Sequence, residues 1–206
     1  MSETVEFWEQ HYGAKDRVWS GRVNPRLAEI AETLAPGTAL DVGCGEGADA
    51  IWLARHGWRV VGVDVSQTAL RRAAEDAAGA AVAERISFER HDLAESLPDG
   101  EFDLVSAQFL HCPYEWDRDD VLRRVAETVT PGGVLLLVDH GSTPPWASMK
   151  GHEHRFASAQ EVVDGLGLDP ARWQRLRVEA VEREVTGPDG QAARIADNVI
   201  LLRRAA

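Results

Sequence analysis

The sequence has little cysteine, no long apolar run and no excess of basic residues. Its two cysteines, Cys44 and Cys112, are too few for the disulfide framework of a small secreted protein. No apolar run approaches the roughly 20 residues of a membrane-spanning helix. The first residues also lack the basic and apolar segments of a signal peptide. We therefore expect a soluble, cytoplasmic protein that does not act at a membrane.

The charge balance is acidic. Lys and Arg total 22 against 34 Asp and Glu, which gives a formal net charge of −12. No basic stripe is present, so duplex nucleic acid is a poor partner, and the acidity suits a small-molecule substrate. A chain of 206 residues is long enough for one domain with a sizeable core, so we expect a single domain spanning 1–206.

One stretch, residues 39–54, organises the rest of the chain. A short apolar run ends in Gly43, Gly45 and Gly47, after which a helical pattern begins. A strand, a glycine turn and a helix N-terminus place free N–H groups over the carboxyl edge of a sheet, where open α/β folds bind ligands. The next apolar run ends in Asp64, and a carboxylate there suits ribose hydroxyls. The pattern therefore predicts a site for a nucleoside cofactor.

The identity of that nucleoside is less certain from the glycines alone. Gly43, Gly45 and Ala48 also satisfy the looser G-x-G-x-x-A pattern of dinucleotide folds. Asp41, two residues before the first glycine, would repel a pyrophosphate but would attract a cationic sulfonium and ammonium ligand. Two further strand patterns follow, one ending at Asp92 and the other at Phe109.

At these motifs the chain resembles the class I S-adenosylmethionine-dependent methyltransferases, over roughly residues 1–140. The resemblance implies a Rossmann-like, doubly wound α/β fold whose seven-stranded sheet is mostly parallel with an antiparallel last strand. It also implies S-adenosyl-L-methionine as the cofactor. Asp64 would bind the ribose, Asp92 the adenine edge, and Gln108 would lie near the methionine portion. The cofactor-binding residues implied in this way are Trp19, Arg22, Asp41, Gly43, Cys44, Gly45, Asp64, Val65, Asp92, Leu93, Gln108 and Phe109.

The beginning of the chain is similar to the N-terminal lid of thiopurine and tellurite-resistance methyltransferases. We expect a helical lid over 1–36, a cofactor-binding core over 37–140, and an acceptor side over 141–206 with a loop, helices and a C-terminal hairpin. By this resemblance Arg22 would pair with the cofactor carboxylate, and Trp19 and Tyr12 would cover the site. The alternative is that these aromatic residues merely pack a surface helix onto the sheet.

Local signals place several element boundaries. Asn24, Ser66, Asp117 and Ser158 are expected to cap helices, because their side chains accept hydrogen bonds from a first helical turn. A turn at 131–133 is expected to precede a buried strand over 134–138, and a turn at 187–190 to join a hairpin.

Histidines are the candidate catalytic residues. Methyl transfer needs a base only when the acceptor arrives protonated. His140 follows an expected strand at the acceptor edge, and His154 lies in the loop after it. Either could take a proton. Metal binding together with His111 and His152, or simple solvation, remains open, and we predict no metal centre.

The sequence thus predicts methyl transfer from S-adenosylmethionine to a small-molecule acceptor by in-line displacement, in a monomer or homodimer. One alternative is an NAD(P)-dependent oxidoreductase, which would need a Tyr/Lys pair at a strand end, whereas the lysines are Lys15 and Lys150. The other is a non-enzymatic S-adenosylmethionine-binding protein.

Overall fold

The computed structural model describes residues 2–112, 114, 116–146 and 156–206. Its helices are α1 (Glu3–Gly13), α2 (Pro25–Ala31), α3 (Ala48–Arg55), α4 (Gln67–Gly79), α5 (Arg118–Glu127) and α6 (Ala159–Leu166). Its strands are β1 (Thr38–Val42), β2 (Arg59–Asp64), β3 (Ile86–Arg90), β4 (Phe102–Gln108), β5 (Val129–His140), β6 (Trp173–Thr186) and β7 (Ala192–Arg204). A single 3₁₀ turn, Ala83–Arg85, precedes β3.

The helices begin where the sequence predicts caps. Asn24 accepts from the backbone N–H of Arg26, with Pro25 in the first turn of α2. Ser66 and Asp117 cap α4 and α5 in the same way, and Ser158 forms a capping box at the start of α6. Within the described ranges, no helix is both long enough and apolar enough to cross a membrane.

The seven strands form one sheet in the order β3-β2-β1-β4-β5-β7-β6. Strands β1 to β5 pair in parallel, β7 pairs antiparallel with β5, and β6 pairs antiparallel with β7. In the described sheet, β7 alone therefore runs against the other strands. The predicted doubly wound α/β fold with an antiparallel last strand is confirmed.

Both faces of the sheet are covered. Along β5, Leu135 and Leu137 pack into a core cluster with residues of α5 and α6. The alternate residues Val134, Leu136 and Val138 pack with α2 and α3 on the other face. A run without apolar–polar alternation is what a parallel strand buried on both faces requires.

The expected turn at 131–133 does not precede β5 but lies within it. β5 begins at Val129, so the Pro-Gly-Gly segment lies inside it as an irregularity, and Gly132 takes a φ of +82°. The pairing with β4 shifts between Phe102, opposite Val129, and Leu104, opposite Val134. The segment is absorbed as extra residues in one strand because β4 continues straight beside it.

The strand order places the ligand edge. β1 has β2 on one side and β4 on the other. From β1 the strand order runs outward through β2 to β3 on one side, and through β4 to β5 on the other, so the order reverses between β1 and β4. Such a switch point opens a crevice at the carboxyl ends of the strands. The ends of β1, β2, β4 and β5 therefore frame the candidate site.

Leu136 tests the two-sided burial of β5. It is fully buried, so Leu136→Ala removes apolar contacts and leaves a cavity, and we expect it to lower the free energy of unfolding by about 2–5 kcal/mol. Leu176 on β6 is 38% exposed, and Leu176→Ala is expected to cost less than about 1 kcal/mol. Urea unfolding of both variants measures the difference. Equal losses would contradict the assignment of β5 to the centre of the core.

Candidate active site

The glycine turn is tied to the neighbouring strand. The backbone N–H groups of Gly43 and Cys44 both donate to the carbonyl of Val63, at 2.8 and 2.9 Å. Gly45 has a φ of +52°, and a Cβ there would lie 2.9 Å from the Tyr12 hydroxyl oxygen. A side chain at Gly45 would therefore be both strained and obstructed, which explains glycine at a point of close approach.

Asp64 closes this turn from the tip of β2. Its Oδ2 accepts from the N–H of Gly45 at 2.9 Å, and its Oδ1 accepts from the N–H of Ser66 at 2.9 Å. Burial raises the pKa of Asp64, while these backbone bonds oppose the increase. Each carboxylate oxygen has a second lone pair, so Asp64 can also accept from two hydroxyl groups. Val65, which follows it, accepts at its carbonyl from Arg90 Nε at 2.9 Å.

Asp41 is a buried carboxylate that has no cationic partner within the described ranges. It is 2% exposed, and its Oδ2 has no hydrogen-bond partner among the residues that the structure describes. Burial raises its pKa well above the usual range, and the neighbouring charge of Asp49 adds to this. An unpaired buried carboxylate is costly, so this position suits a ligand that carries positive charge.

Asp49, which the sequence analysis missed, belongs to the same cluster. It lies in the first turn of α3, and its Oδ1 accepts from the N–H of Asn24 at 2.7 Å. Desolvation raises the pKa of Asp49 to about 6. Its place at the start of the helix after the glycine turn was the signal that could have identified it.

The adenine-edge candidates lie in the loop after β3. The carboxylate of Asp92 accepts from the hydroxyl of Ser2 at 2.7 Å and from the N–H of Ala94 at 3.2 Å. Leu93 is buried. The N–H of His91 donates to the Asp64 carbonyl at 3.1 Å, which holds this loop beside the end of β2.

The N-terminal segment covers the glycine turn. On α1, Glu9 accepts from the Ser66 hydroxyl at 2.8 Å, and Tyr12 is buried. The indole N–H of Trp19 donates to the Tyr12 hydroxyl oxygen at 2.9 Å, although Trp19 itself is 52% exposed. Burial raises the pKa of Tyr12, with a smaller contribution from the charge of Asp64.

Glu46, inside the glycine turn, anchors this cover and was also missed from the sequence. It is 3% exposed and accepts from the backbone N–H groups of Val18 and Trp19 at 3.1 and 3.0 Å. Arg72 of α4 forms an ion pair with Glu46, with 2.9 Å between Arg72 Nη1 and Glu46 Oε1. Arg22 is exposed in the same segment, and within the described ranges no side-chain contact joins it to the other predicted binding residues.

The ends of β4 and β5 form the other side of the crevice. Gln108 donates to the Ser106 hydroxyl at 2.6 Å, and its Oε1 is buried without a partner in the described part of the chain. Phe109 has a φ of +51°, and its N–H donates to the Val138 carbonyl at 2.7 Å. A Cβ on Gly43 would lie 2.7 Å from Leu110, so this edge adjoins the glycine turn.

Two histidines and a buried ion pair occupy this edge. The rings of Phe109 and His140 stack with centroids 4.4 Å apart, and those of His111 and His140 with centroids 5.6 Å apart. Burial lowers the pKa of both imidazoles, which favours their neutral form. Arg118 holds both oxygens of Asp139 at 2.6 and 2.7 Å, a pair that no sequence motif indicated.

The structure gives no direct support for a catalytic role of Cys44 or of the histidines in the loop after β5. Cys44 is buried, and burial with the nearby charge of Asp41 raises the pKa of its thiol, which fits a small buried residue in the glycine turn. His152 and His154 lie outside the described residues, so the role of His154 stays a prediction. No group of three metal-ligating side chains is found among the residues described here.

The donor set fits S-adenosylmethionine. Asp64 offers acceptors for ribose hydroxyls, the unpartnered Asp41 oxygen offers one for an ammonium group, and the turn at Gly45 admits a ligand close to the backbone. A pyrophosphate would meet Asp41, Asp49 and Asp64 at the same place and be repelled.

Comparison with known proteins agrees with this chemistry. A family model described as a methyltransferase domain matches residues 39–133. Methyltransferase GfsG of Streptomyces halstedii is 32% identical over 192 residues, covering 87% of this chain and 68% of that protein. The 27-O-demethylrifamycin SV methyltransferase of Amycolatopsis mediterranei is 32% identical, covering 86% and 65%. Thiocyanate methyltransferase 1 of Arabidopsis thaliana is 31% identical, covering 71% and 69%. The chain thus spans about two thirds of the length of these relatives.

Solved structures share the fold. A structure described by the conversion of a disulfide bond into a thioacetal group during echinomycin biosynthesis has a TM-score of 0.76 at 24% identity, covering 98% of this chain and 93% of that one. TehB from Haemophilus influenzae has a TM-score of 0.69 at 19% identity, covering 96% and 67%. Together with the relatives at above 30% identity, the family match excludes the oxidoreductase alternative and confirms the cofactor. The chain belongs to the class I S-adenosylmethionine-dependent methyltransferases.

Proposed function

We propose that the protein transfers the methyl group of S-adenosylmethionine to a small-molecule acceptor by in-line displacement. The cofactor supplies an electrophilic methyl group on a sulfonium ion, so the chain's own task is to bind both reactants, align them and exclude water. The net charge of −12 disfavours nucleic acid as the acceptor. The relatives that act on rifamycin and thiocyanate, as their names state, support a small acceptor.

The single observation that carries the proposal is the buried oxygen of Asp41 that has no hydrogen-bond partner in the described part of the chain, beside the turn that Asp64 closes. In this assignment Asp41 faces the cofactor's ammonium group and Asp64 accepts from its two ribose hydroxyls. Asp92 and Leu93 border the adenine. The acceptor enters at the ends of β4 and β5, near Gln108 and Phe109, because this edge adjoins the glycine turn.

Exclusion of water is assigned to the N-terminal cover. Glu46 fixes the backbone of Val18 and Trp19 over the glycine turn, and Tyr12 lies directly above Gly45. A closed cover strengthens the electrostatic interactions beneath it and keeps water from competing with the acceptor. These contacts support a lid that closes over bound cofactor.

Asp64→Ala tests the ribose assignment. Two hydroxyl groups lose a charged acceptor, so we expect the affinity for S-adenosylmethionine to fall by about 1.5–3 kcal/mol, or about 10- to 100-fold. The matched control is Asp103→Ala, which removes a carboxylate that also accepts a backbone N–H, from Thr38 at 2.8 Å, but at the amino end of β4. Calorimetric titration compares the two. Unchanged affinity in a folded Asp64→Ala protein would refute the assignment.

The acidic cluster makes cofactor binding depend on pH. Because the pKa of Asp49 is raised to about 6, this group is protonated below that pH in the free protein, and a bound cation favours its ionised form. We expect affinity to rise about tenfold from pH 5 to pH 7 as Asp49 ionises. Asp49→Asn is expected to flatten this slope. A slope that persists in the variant would assign the proton to another group.

Trp19→Ala tests the cover. Trp19 is largely exposed, so we expect the melting temperature to change by less than about 4 °C, while the KM for S-adenosylmethionine rises about tenfold because the site is less shielded. Trp19→Phe keeps an aromatic cover but loses the hydrogen bond to Tyr12, so its KM should lie between those of the wild type and Trp19→Ala. A large loss of stability with normal KM would instead favour simple packing of the aromatic residues.

A further inference from the structure

His140 stands at the acceptor edge with its ring fixed and its nitrogens uncommitted. The ring lies against Phe109 on one side, against His111 on another, and 5.7 Å from the ring of Phe156. Among the residues that the structure describes, neither nitrogen of His140 makes a hydrogen bond or salt bridge. Stacking therefore orients the imidazole while leaving its nitrogens open to a ligand.

The backbone at this point is under strain. Phe109 is a non-glycine residue with a φ of +51°, a conformation that side chains rarely adopt. The bond from its N–H to the Val138 carbonyl holds that conformation, and the result is that the phenyl ring lies on the His140 imidazole. Strain of this kind persists where the surrounding structure fixes a functional geometry.

The charged groups around His140 leave it as the available base. Asp139 is fully engaged by Arg118, and His111 Nε2 lies 3.8 Å from Asp139 Oδ1. From β7, Asp197 lies directly opposite His140, so the two side chains share a face of the sheet. Asp197 is 2% exposed; one oxygen accepts from Arg183 of β6 at 2.7 Å, and the other is buried without a partner in the described ranges.

This arrangement suits a neutral imidazole that becomes charged during a reaction. Burial lowers the pKa of His140 below its ordinary value. The negative charges of Asp197 and Asp139 raise this pKa, and the positive charge of Arg183 lowers it, but burial has the largest effect. Burial therefore favours the unprotonated imidazole. If it gains a proton, the buried carboxylate of Asp197 stabilises the cation that forms.

We propose that the acceptor is a hydroxyl compound and that His140 removes its proton, with Asp197 as a positioning residue. The inference rests on the proposed methyl transfer and names the atom that receives the methyl group. The acceptor O–H bond breaks and its proton passes to a ring nitrogen of His140, while the oxygen forms a bond to the methyl carbon. The carbon–sulfur bond breaks with its electron pair left on sulfur, and the proton then leaves the partly exposed imidazole for solvent.

The choice of oxygen over sulfur follows from acidity. An alcohol or phenol is mostly protonated at pH 7, so a base contributes about 10²–10⁴-fold to its transfer. A thiocyanate ion or an acidic thiol is already an anion and gains nothing from a base. The curated relatives include proteins named for each kind of acceptor, at 31–32% identity to this chain, so the overall likeness does not decide between them.

The test compares oxygen and sulfur acceptors of one shape. The protein and its His140→Gln variant are assayed for S-adenosylhomocysteine release and methylated product with a panel of phenols and the matching thiophenols. We expect the ratio of oxygen to sulfur transfer to fall at least about 100-fold in His140→Gln. The control is His56→Gln, because His56 also stacks on an aromatic ring, that of Trp52 with ring centroids 3.8 Å apart, but it lies directly after α3, outside the candidate site.

Two further readouts do not depend on turnover. Calorimetry should show that His140→Gln binds S-adenosylhomocysteine as the wild type does, within about threefold. NMR titration should give the His140 imidazole a pKa below the ordinary value, and Asp197→Asn should lower it further. In the wild type, oxygen transfer should rise with pH as His140 loses its proton and be level above about pH 7, and Asp197→Asn should shift this limb to lower pH.

Three outcomes overturn the inference. Methylation of thiophenols but of no phenol refutes the oxygen acceptor while leaving methyl transfer intact. An unchanged oxygen-to-sulfur ratio in His140→Gln, or a loss seen only in His111→Gln, refutes His140 as the base. A protein that binds S-adenosylmethionine but methylates no acceptor of either kind refutes the proposed function, and this inference with it.

Discussion

Asp64 holds the glycine turn closed through its bonds to Gly45 and Ser66, and this one carboxylate joins β1, β2 and α4 at the ligand edge. The turn lies beside Asp41, which is buried, and Asp49, which is partly buried, and neither acid has a cationic partner among the described residues. Accumulated negative charge of this kind is unfavourable in the protein alone. It becomes favourable when a cationic ligand is bound, so the site's electrostatics select a sulfonium cofactor over a pyrophosphate-bearing one.

The two sides of the crevice have different chemistry. On the cofactor side, backbone groups and carboxylates predominate, and Glu46 links them to the N-terminal cover. On the acceptor side, aromatic rings and imidazoles whose pKa is lowered by burial line the ends of β4 and β5, and Arg118 pairs with Asp139. This division places charge where the cofactor is charged and leaves an apolar wall where a neutral acceptor must approach.

Much of this could be predicted from the sequence, because local signals dominate it. The glycine spacing and Asp64 placed the turn, and capping residues placed the starts of α2, α4, α5 and α6. Interactions between distant segments could not be predicted. Glu46 with Val18, and Arg118 with Asp139, are pairs that only the tertiary fold brings together. The Pro-Gly-Gly segment was expected to precede β5, since its absorption into the strand depends on the pairing with β4.

A crystal structure of the protein with S-adenosylhomocysteine is the decisive experiment, because it locates every polar group of the ligand at once. We expect both ribose hydroxyls on the carboxylate of Asp64 and the amino group within hydrogen-bond distance of the Asp41 oxygen that has no partner in the described part of the free protein. We also expect Tyr12 and Trp19 to cover the bound ligand. A nucleoside bound away from Asp64, or an amino group with no carboxylate near it, would contradict these assignments.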